Sequence, residues 1–203
     1  MAAALTIERL TPARRDDFLR FFDHERGPAF ADNPEWAKCY CHFYHVPKAI
    51  PWTGLDGNAN RTAMTARIEA AEMDGFLAYA NGEVVGWLNA QPLSKLPHCM
   101  ARMGIAAPPV DVPAQSVAAI VCFVVAPSWR RRGVARALLR GALASFAARG
   151  IRIVDAFPFN AGASTNATDH YHGPPSLFRD AGFEVLAVHK DMTVMRKRLG
   201  LPR

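Results

Sequence analysis

Val124-Val125-Ala126-Pro127-Ser128-Trp129-Arg130-Arg131-Arg132-Gly133-Val134-Ala135-Arg136-Ala137-Leu138-Leu139 is the stretch on which the fold turns. It reads as the end of a buried strand, a tight basic turn holding one glycine, and the start of a helix. At such a junction the unpaired N–H groups of the first helical turn and the positive end of the helix dipole converge on one point, which is how a chain builds an anion site. Gly133 admits a phosphate to the backbone with no Cβ in the way, and Ala135 keeps the first turn small.

The flanks extend the same reading. Ala118 to Val125 is unbroken apolar sequence, the pattern of a strand buried on both faces, and it predicts the centre of a sheet. Downstream, Ala135, Leu138, Leu139, Ala142, Leu143 and Phe146 form one apolar helical stripe, stopped by Gly150. Pro127 to Val154 carries seven arginines and no acidic residue in a chain whose formal charge is +6, so an anionic ligand is met here. A solvated basic helix face is the plainer alternative.

Further out, Leu5 to Leu10 alternates like a strand, and Thr11-Pro12 offers an N-cap and a first helical position. The helix that follows puts Phe18, Leu19, Phe21 and Phe22 inside. Gly27 to Gly57 predicts loops and short turns. Asn58 can cap a second helix, in which Met64, Ile68 and Ala71 recur. Asn81-Gly82 between Phe76–Ala80 and Glu83–Leu88 is a hairpin signal, because both turn residues tolerate positive φ. Gln91 to Gln115 holds five prolines and predicts a long connection. Ile151 to Ala156 is a strand, Asn160 to Thr168 a loop, Pro175 to Ala181 a short helix, and Phe183 to Val188 with Met192 to Arg198 a last strand pair. No repeat or break in composition marks a second domain in residues 1–203.

With 203 residues, 50% of them hydrophobic and 21% charged, the composition is that of a globular domain with its own core. No apolar run approaches the ~20 residues that cross a bilayer. The start meets Glu8 and Arg9 without a basic segment ahead of its few apolar residues, unlike a signal peptide. Four cysteines, two crowded as Cys39-Tyr40-Cys41, do not look like a secreted disulfide framework. A cytoplasmic protein with reduced thiols and no membrane partner is expected.

Arg130-x-x-Gly133-x-Ala135 resembles the Arg/Gln-x-x-Gly-x-Gly/Ala signature of the GNAT superfamily of acyl-CoA-dependent N-acyltransferases. Leu177-Phe178-Arg179-Asp180-Ala181-Gly182-Phe183 resembles that family's Leu-Tyr-x-x-x-Gly-Phe junction. The likeness is clearest over residues 75–90 and 118–188. Cys39-Tyr40-Cys41, Asn60-Arg61, Gly86-Trp87 and Cys122-Phe123-Val124-Val125 look like a bacterial branch that brings a fold and no substrate. The resemblance implies one α/β domain over residues 1–203, with a mixed, mostly antiparallel sheet of about seven strands and helices on both faces. It implies acetyl-CoA as co-substrate, with its pyrophosphate on Arg130, Arg131, Arg132, Gly133, Val134, Ala135 and Arg136. Its pantetheine arm would lie along Phe123, Val124 and Val125, where a backbone N–H polarises the acyl carbonyl. The acceptor would be a primary amine of a small molecule or peptide attacking directly in a ternary complex, and a homodimer stays open.

The family's usual acid is a tyrosine at the position of Phe178, which has no proton to give. Tyr171 is the alternative acid, with ordinary packing as its plainer reading. The central strand carries no carboxylate, so Asp155, at the exit of the next strand, is the candidate base or ligand for a cationic acceptor, against the plainer reading of a strand-end residue facing water. Cys39, Cys41, His42 and His45 lack the spacing of a structural zinc site. Trp36 to Tyr44 and Gln91 to Gln115 are expected to wall an acceptor cleft. Two further readings stay open, an acyl-CoA binder without turnover and, less favoured, a nucleic-acid-binding protein, which lacks any accompanying recognition motif.

Overall fold

The structure, a computed structural model, describes residues 4–23, 27–160 and 170–200. In chain order its elements begin with β1 (Thr6–Arg9), α1 (Arg15–Phe22), α2 (Gly57–Glu69), β2 (Phe76–Ala80), β3 (Glu83–Pro92) and α3 (Cys99–Met103). They continue with β4 (Val117–Val125), α4 (Val134–Ala148), β5 (Ile153–Ala156), α5 (Pro175–Asp180), β6 (Glu184–Val188) and β7 (Thr193–Arg198). The seven strands form one sheet in the order β1-β2-β3-β4-β5-β7-β6, with β4 at its centre. Every pairing is antiparallel except β4 with β5.

Both faces of the sheet are covered, which is why β4 is apolar at every position. On one face α1 and α2 bury Phe18, Phe22, Met64 and Ile68 with Trp87, Cys122 and Val124. On the other, α4 and α5 bury Leu138, Phe146 and Phe178 with Leu88, Ile120 and Phe123. Two irregularities shape the middle. The β3–β4 register slips between Asn89 and Ala90. The β4–β5 ladder pairs only Val117 to Ile120 with Ile153 to Ala156, so β4 runs on past β5 and the two strands part there.

Asn81 and Gly82 turn the β2–β3 hairpin with φ of 51° and 82°, as their residue types predict. Several local expectations need correction. The cap of α2 is Asp56, whose carboxylate accepts from the Ala59 N–H at 2.7 Å, and not Asn58, which lies inside the helix. Ala71 falls beyond that helix and is exposed. Thr11 makes no side-chain cap bond, and a single 3-10 turn over Pro12–Arg14 leads into α1. Gln91 is the buried end of β3 rather than loop, and the connection after it is broken by α3. Residues 161–168 of the expected 160–168 loop lie outside the described residues.

Candidate functional site

Where β4 parts from β5, a cavity of about 1300 Å³ opens, and its walls come from both faces of the sheet. One end is the basic turn. Gly133, at φ 81°, is the N-cap of α4 and Arg131 also has positive φ, so the turn curls under the helix start. The first turn has no acidic residue and no side-chain cap, and the helix ladder begins with Ala137 N–H donating to the Gly133 carbonyl. The N–H groups ahead of Ala137 are therefore the orphan donors of a helix start. A Cβ built on Gly133 meets nothing within 4 Å, so φ and an unobstructed approach, rather than internal packing, account for glycine here. Arg130, Arg131, Gly133, Val134, Ala135 and Arg136 line this end. Arg130 is held by its Nε donating to the Val125 carbonyl at 3.2 Å and by an ion pair with Asp32.

The middle of the cavity is the outer edge of β4. Ala126 N–H donates to the Val85 carbonyl, so antiparallel alternation turns the N–H groups of Phe123 and Val125 away from β3. Phe123, Val124 and Val125 all line the cavity. The Phe123 N–H, however, is not presented to a ligand. It donates at 2.6 Å to the carbonyl of Tyr171, because the turn around residues 170–173 lies along β4 where β5 has ended. Of the two, Val125 is the one whose N–H the Tyr171 carbonyl leaves uncovered.

The far end is aromatic. Phe22, Phe30, Trp36, Phe43, Tyr44 and Trp52 line it, together with Cys39, Cys41 and Cys122. Tyr171 stands in this wall with its ring between Trp36 and Phe159, at centroid distances of 5.3 and 5.5 Å. The Tyr44 hydroxyl and His172 Nε2 are 2.9 Å apart, both buried. Burial pushes His172 down to about 3, so this imidazole is neutral, and it raises the Tyr44 hydroxyl well above the ordinary phenol range. Asp56 is the one carboxylate on the cavity wall among the described residues, and it is spent on capping α2.

Three sequence expectations are corrected. Asp155 neither faces water nor reaches the cavity. It lies across from Arg196 in the β5–β7 ladder, 1% exposed, and its two carboxylate oxygens accept from Arg196 Nε and Nη2 at 2.7 and 2.8 Å. Its charge is neutralised inside the sheet, which removes it as base or acceptor ligand. Arg132 does not line the cavity with the rest of the basic turn and lies over the Trp129 ring at 5.4 Å. The 91–115 connection forms no wall of the cavity. It braces the wall from behind, where Arg102 donates to the carbonyls of Val46, Pro47 and Ile50.

Phe178 is fully buried, against Phe123 and Phe183, as a core residue should be. Sequence reasoning missed the Asp32–Arg130 pair and the contributions of Phe22, Phe30 and Trp52. These come from separate segments with no shared period, and only closure of the chain brings them together. The approach of Cys41 to Asn89, the cross-strand neighbour of Cys122, was missed for the same reason.

The family model for the acetyltransferase (GNAT) family matches residues 41–167. No curated protein matches the chain. Among solved structures, ribosomal-protein-S18-alanine N-acetyltransferase from Escherichia coli aligns at TM-score 0.52 and 14% identity, over 98% of this chain and 97% of that one. PaiA N-acetyltransferase from Thermoplasma acidophilum, solved in complex with coenzyme A, aligns at TM-score 0.54 and 14% identity over 97% and 99%. The GNAT domain of S. lividans PAT aligns at TM-score 0.55 and 19% identity over 95% and 89%. At such identities these structures speak to the fold alone, and the family model reaches further. Covering more than half of the chain, and including the parted β4 edge and the glycine turn, it shows that this protein belongs to the GNAT acetyltransferase family.

Proposed function

We propose that the protein is an N-acetyltransferase that moves an acetyl group from acetyl-CoA to a primary amine of a small molecule or peptide, by direct attack in a ternary complex. The observation that carries this reading is the continuity of the cavity, from the orphan N–H groups and arginines of the Gly133 turn, along the β4 edge, to the aromatic end. The first part suits a pyrophosphate, the second an amide-bearing arm that adds to a strand edge, the third an acceptor. A thioester supplies an activated acyl carbon, and the chain's task is to polarise its carbonyl, orient the amine and return a proton to sulfur. The Val125 N–H is directed to the first task, and Phe123 joins it once Tyr171 yields. The Tyr171 hydroxyl is the proposed acid, because its ring stands in the wall beside the end of β4. No base is assigned among the described residues, so the amine's proton leaves to water.

The aromatic end narrows the acceptor. A polyamine or aminoglycoside needs several carboxylates, and the only one on the wall among the described residues is already committed. An amine borne on an apolar or aromatic body fits instead. A second reading, an acyl-CoA binder without turnover, is favoured by the Tyr171 carbonyl on the Phe123 N–H and by phenylalanine at position 178. The four cysteines are all free, in keeping with work in a reducing cytoplasm. No helix among the described residues is long and apolar enough to cross a membrane.

Two measurements test the proposal. Acetyl-CoA should raise the melting temperature, and free thiol should be released with arylalkyl amines well ahead of spermidine. Stabilisation by acetyl-CoA without thiol release from any amine, peptide or antibiotic in the panel selects the second reading. No stabilisation at all refutes both.

A further inference from the structure

Cys41 and Cys122 both line the aromatic end of the cavity, and nothing in the acyl transfer uses them. Cys122 lies on β4 opposite Asn89, where the β3–β4 register slips. Cys41 arrives from a turn in which Tyr40 and Cys41 both take left-handed backbone, at φ 44° and 56°. Two consecutive non-glycine residues persist there only when their surroundings insist on it. The surroundings do insist. Tyr40 is buried and its hydroxyl donates to Asp23 at 3.0 Å, while Arg61 Nε binds the same carboxylate at 2.8 Å. Asn60, also buried, ties down the preceding turn through the Lys38 carbonyl at 2.8 Å.

This bracing delivers the Cys41 sulfur to a set of buried donors. Asn89 Nδ2 donates to it at 3.4 Å, and Asn89 is itself fixed by Gln91 Nε2 donating to its Oδ1 at 2.7 Å. Cys122 lies directly across the β3–β4 ladder from Asn89 and belongs to the same buried cluster as Cys41, so its side chain stands on the face where the Asn89 amide holds this sulfur. Trp87 Nε1 is fully buried without a well-formed hydrogen bond, close enough to act on Cys41 electrostatically. Burial works against a thiolate, yet the polar hydrogens of Cys122, Trp87 and Asn89 nearby prevail and hold Cys41 below the ordinary thiol range. The contact with Cys41, then burial, pushes Cys122 far up. Of the two sulfurs, Cys41 is therefore the more readily ionised. Cys41 and Cys122 both line the cavity, so a small solute entering it comes up against them.

We propose that Cys41 and Cys122 are an oxidation site for a small hydroperoxide, which joins them in a disulfide across the floor of the cavity. Cys41 sulfur attacks the outer peroxide oxygen, the O–O bond breaks, and the departing oxygen takes a proton to leave as water or an alcohol. The resulting Cys41 sulfenic acid is attacked by the Cys122 sulfur. The S–O bond breaks, and hydroxide leaves with the Cys122 proton as a second water. Two thiols are oxidised and one peroxide is reduced. Cys39 is a poor partner, because burial and then the Cys41 charge push its thiol up to about 12, and one residue between two cysteines leaves little room for a bridge.

The test treats the full chain with hydrogen peroxide, blocks remaining thiols with N-ethylmaleimide and maps the peptides, with no acyl substrate present. It therefore stands whether or not the acetyltransferase reading holds. The expected product is a Cys41–Cys122 disulfide that dithiothreitol reverses. Cys41→Ala should slow thiol loss about tenfold or more. Cys122→Ala should leave a Cys41 sulfenic acid that dimedone captures. A bridge between Cys39 and Cys41, or unchanged thiols in the wild-type chain, overturns the proposal without any variant having to fold. Equal thiol loss in the Cys41→Ala chain does so as well.

Discussion

Replacing Gly133 with aspartate, and separately with asparagine, separates charge from bulk at the proposed phosphate turn. Gly133 has φ 81°, and its missing Cβ would meet nothing within 4 Å, so neither substitution clashes with the protein. Both pay for left-handed backbone, up to about 1–2 kcal/mol and less for these two residues than for most. The unliganded melting temperatures should therefore fall together by a few degrees. With acetyl-CoA at about 100 times its Kd, the wild-type chain gains ~2.7 kcal/mol, or roughly 5–10 °C in a domain of this size. A carboxylate about 5 Å from a phosphate charge costs ~3 kcal/mol at an effective dielectric of 20, near a two-hundred-fold loss of affinity. At the same ligand concentration the aspartate variant keeps only about 0.2 kcal/mol, a shift below ~1 °C, because ln(1 + 0.5) replaces ln(1 + 100). The asparagine variant keeps a shift between the two, set by bulk alone. Differential scanning fluorimetry across an acetyl-CoA titration reads all three chains. If the aspartate and asparagine variants respond alike, the anion is bound elsewhere and the assignment of this turn is wrong.

The other predictions concern the acid, the buried pair and pH. Phe178→Tyr should lower stability by about 1–3 kcal/mol in urea melts, since it buries a hydroxyl among Phe123 and Phe183, and it should not raise kcat tenfold. Tyr171→Phe should lower kcat by about 10²–10⁴-fold with little change in the acyl-CoA Kd, and full turnover in that variant rules out the tyrosine as acid. Arg196→Met strands the buried Asp155 carboxylate and should cost about 3–5 kcal/mol, part of which Asp155→Asn in the same chain restores. Were the double variant as unstable as the single one, the pair would not be the cause. Burial, aided in His45 by neighbouring positive charge, depresses His45 and His172 to about 3 from 6.5. The unfolded chain therefore binds protons that the folded chain refuses, and stability present above pH 6.5 is lost as the pH falls toward 3. At pH 5 the loss is about 2 kcal/mol per imidazole. His45→Phe should remove about half of the resulting decline in melting temperature between pH 7 and 5, and an undiminished decline would exonerate His45.

Legibility in the sequence followed the range of the interaction concerned. The apolar run of β4, the Asn81-Gly82 turn and the stripe on α4 are set by neighbours a few residues away, and the chain displays them openly. Gly133 was legible for the same reason, because a glycine between arginines and a helix start needs no distant partner to declare its φ. Tyr171 was found by its distance from Phe178, but spacing could not say that its carbonyl, rather than its hydroxyl, meets β4.

What tertiary structure decided was every question of which charge or sulfur meets which. Asp155 looked like a strand-end carboxylate until β7 set Arg196 across from it, 41 positions on in the sequence. A carboxylate's chemistry depends on what compensates it, and local sequence holds no record of a cross-strand partner. Cys41 and Cys122 are 81 positions apart, and two left-handed residues braced by Asp23 and Asn60 bring them together. Period and propensity describe the backbone's own energy. The depth of a cavity, the neutralisation of an ion and the acidity of a thiol arise from desolvation by the rest of the chain, which exists only once the chain has folded.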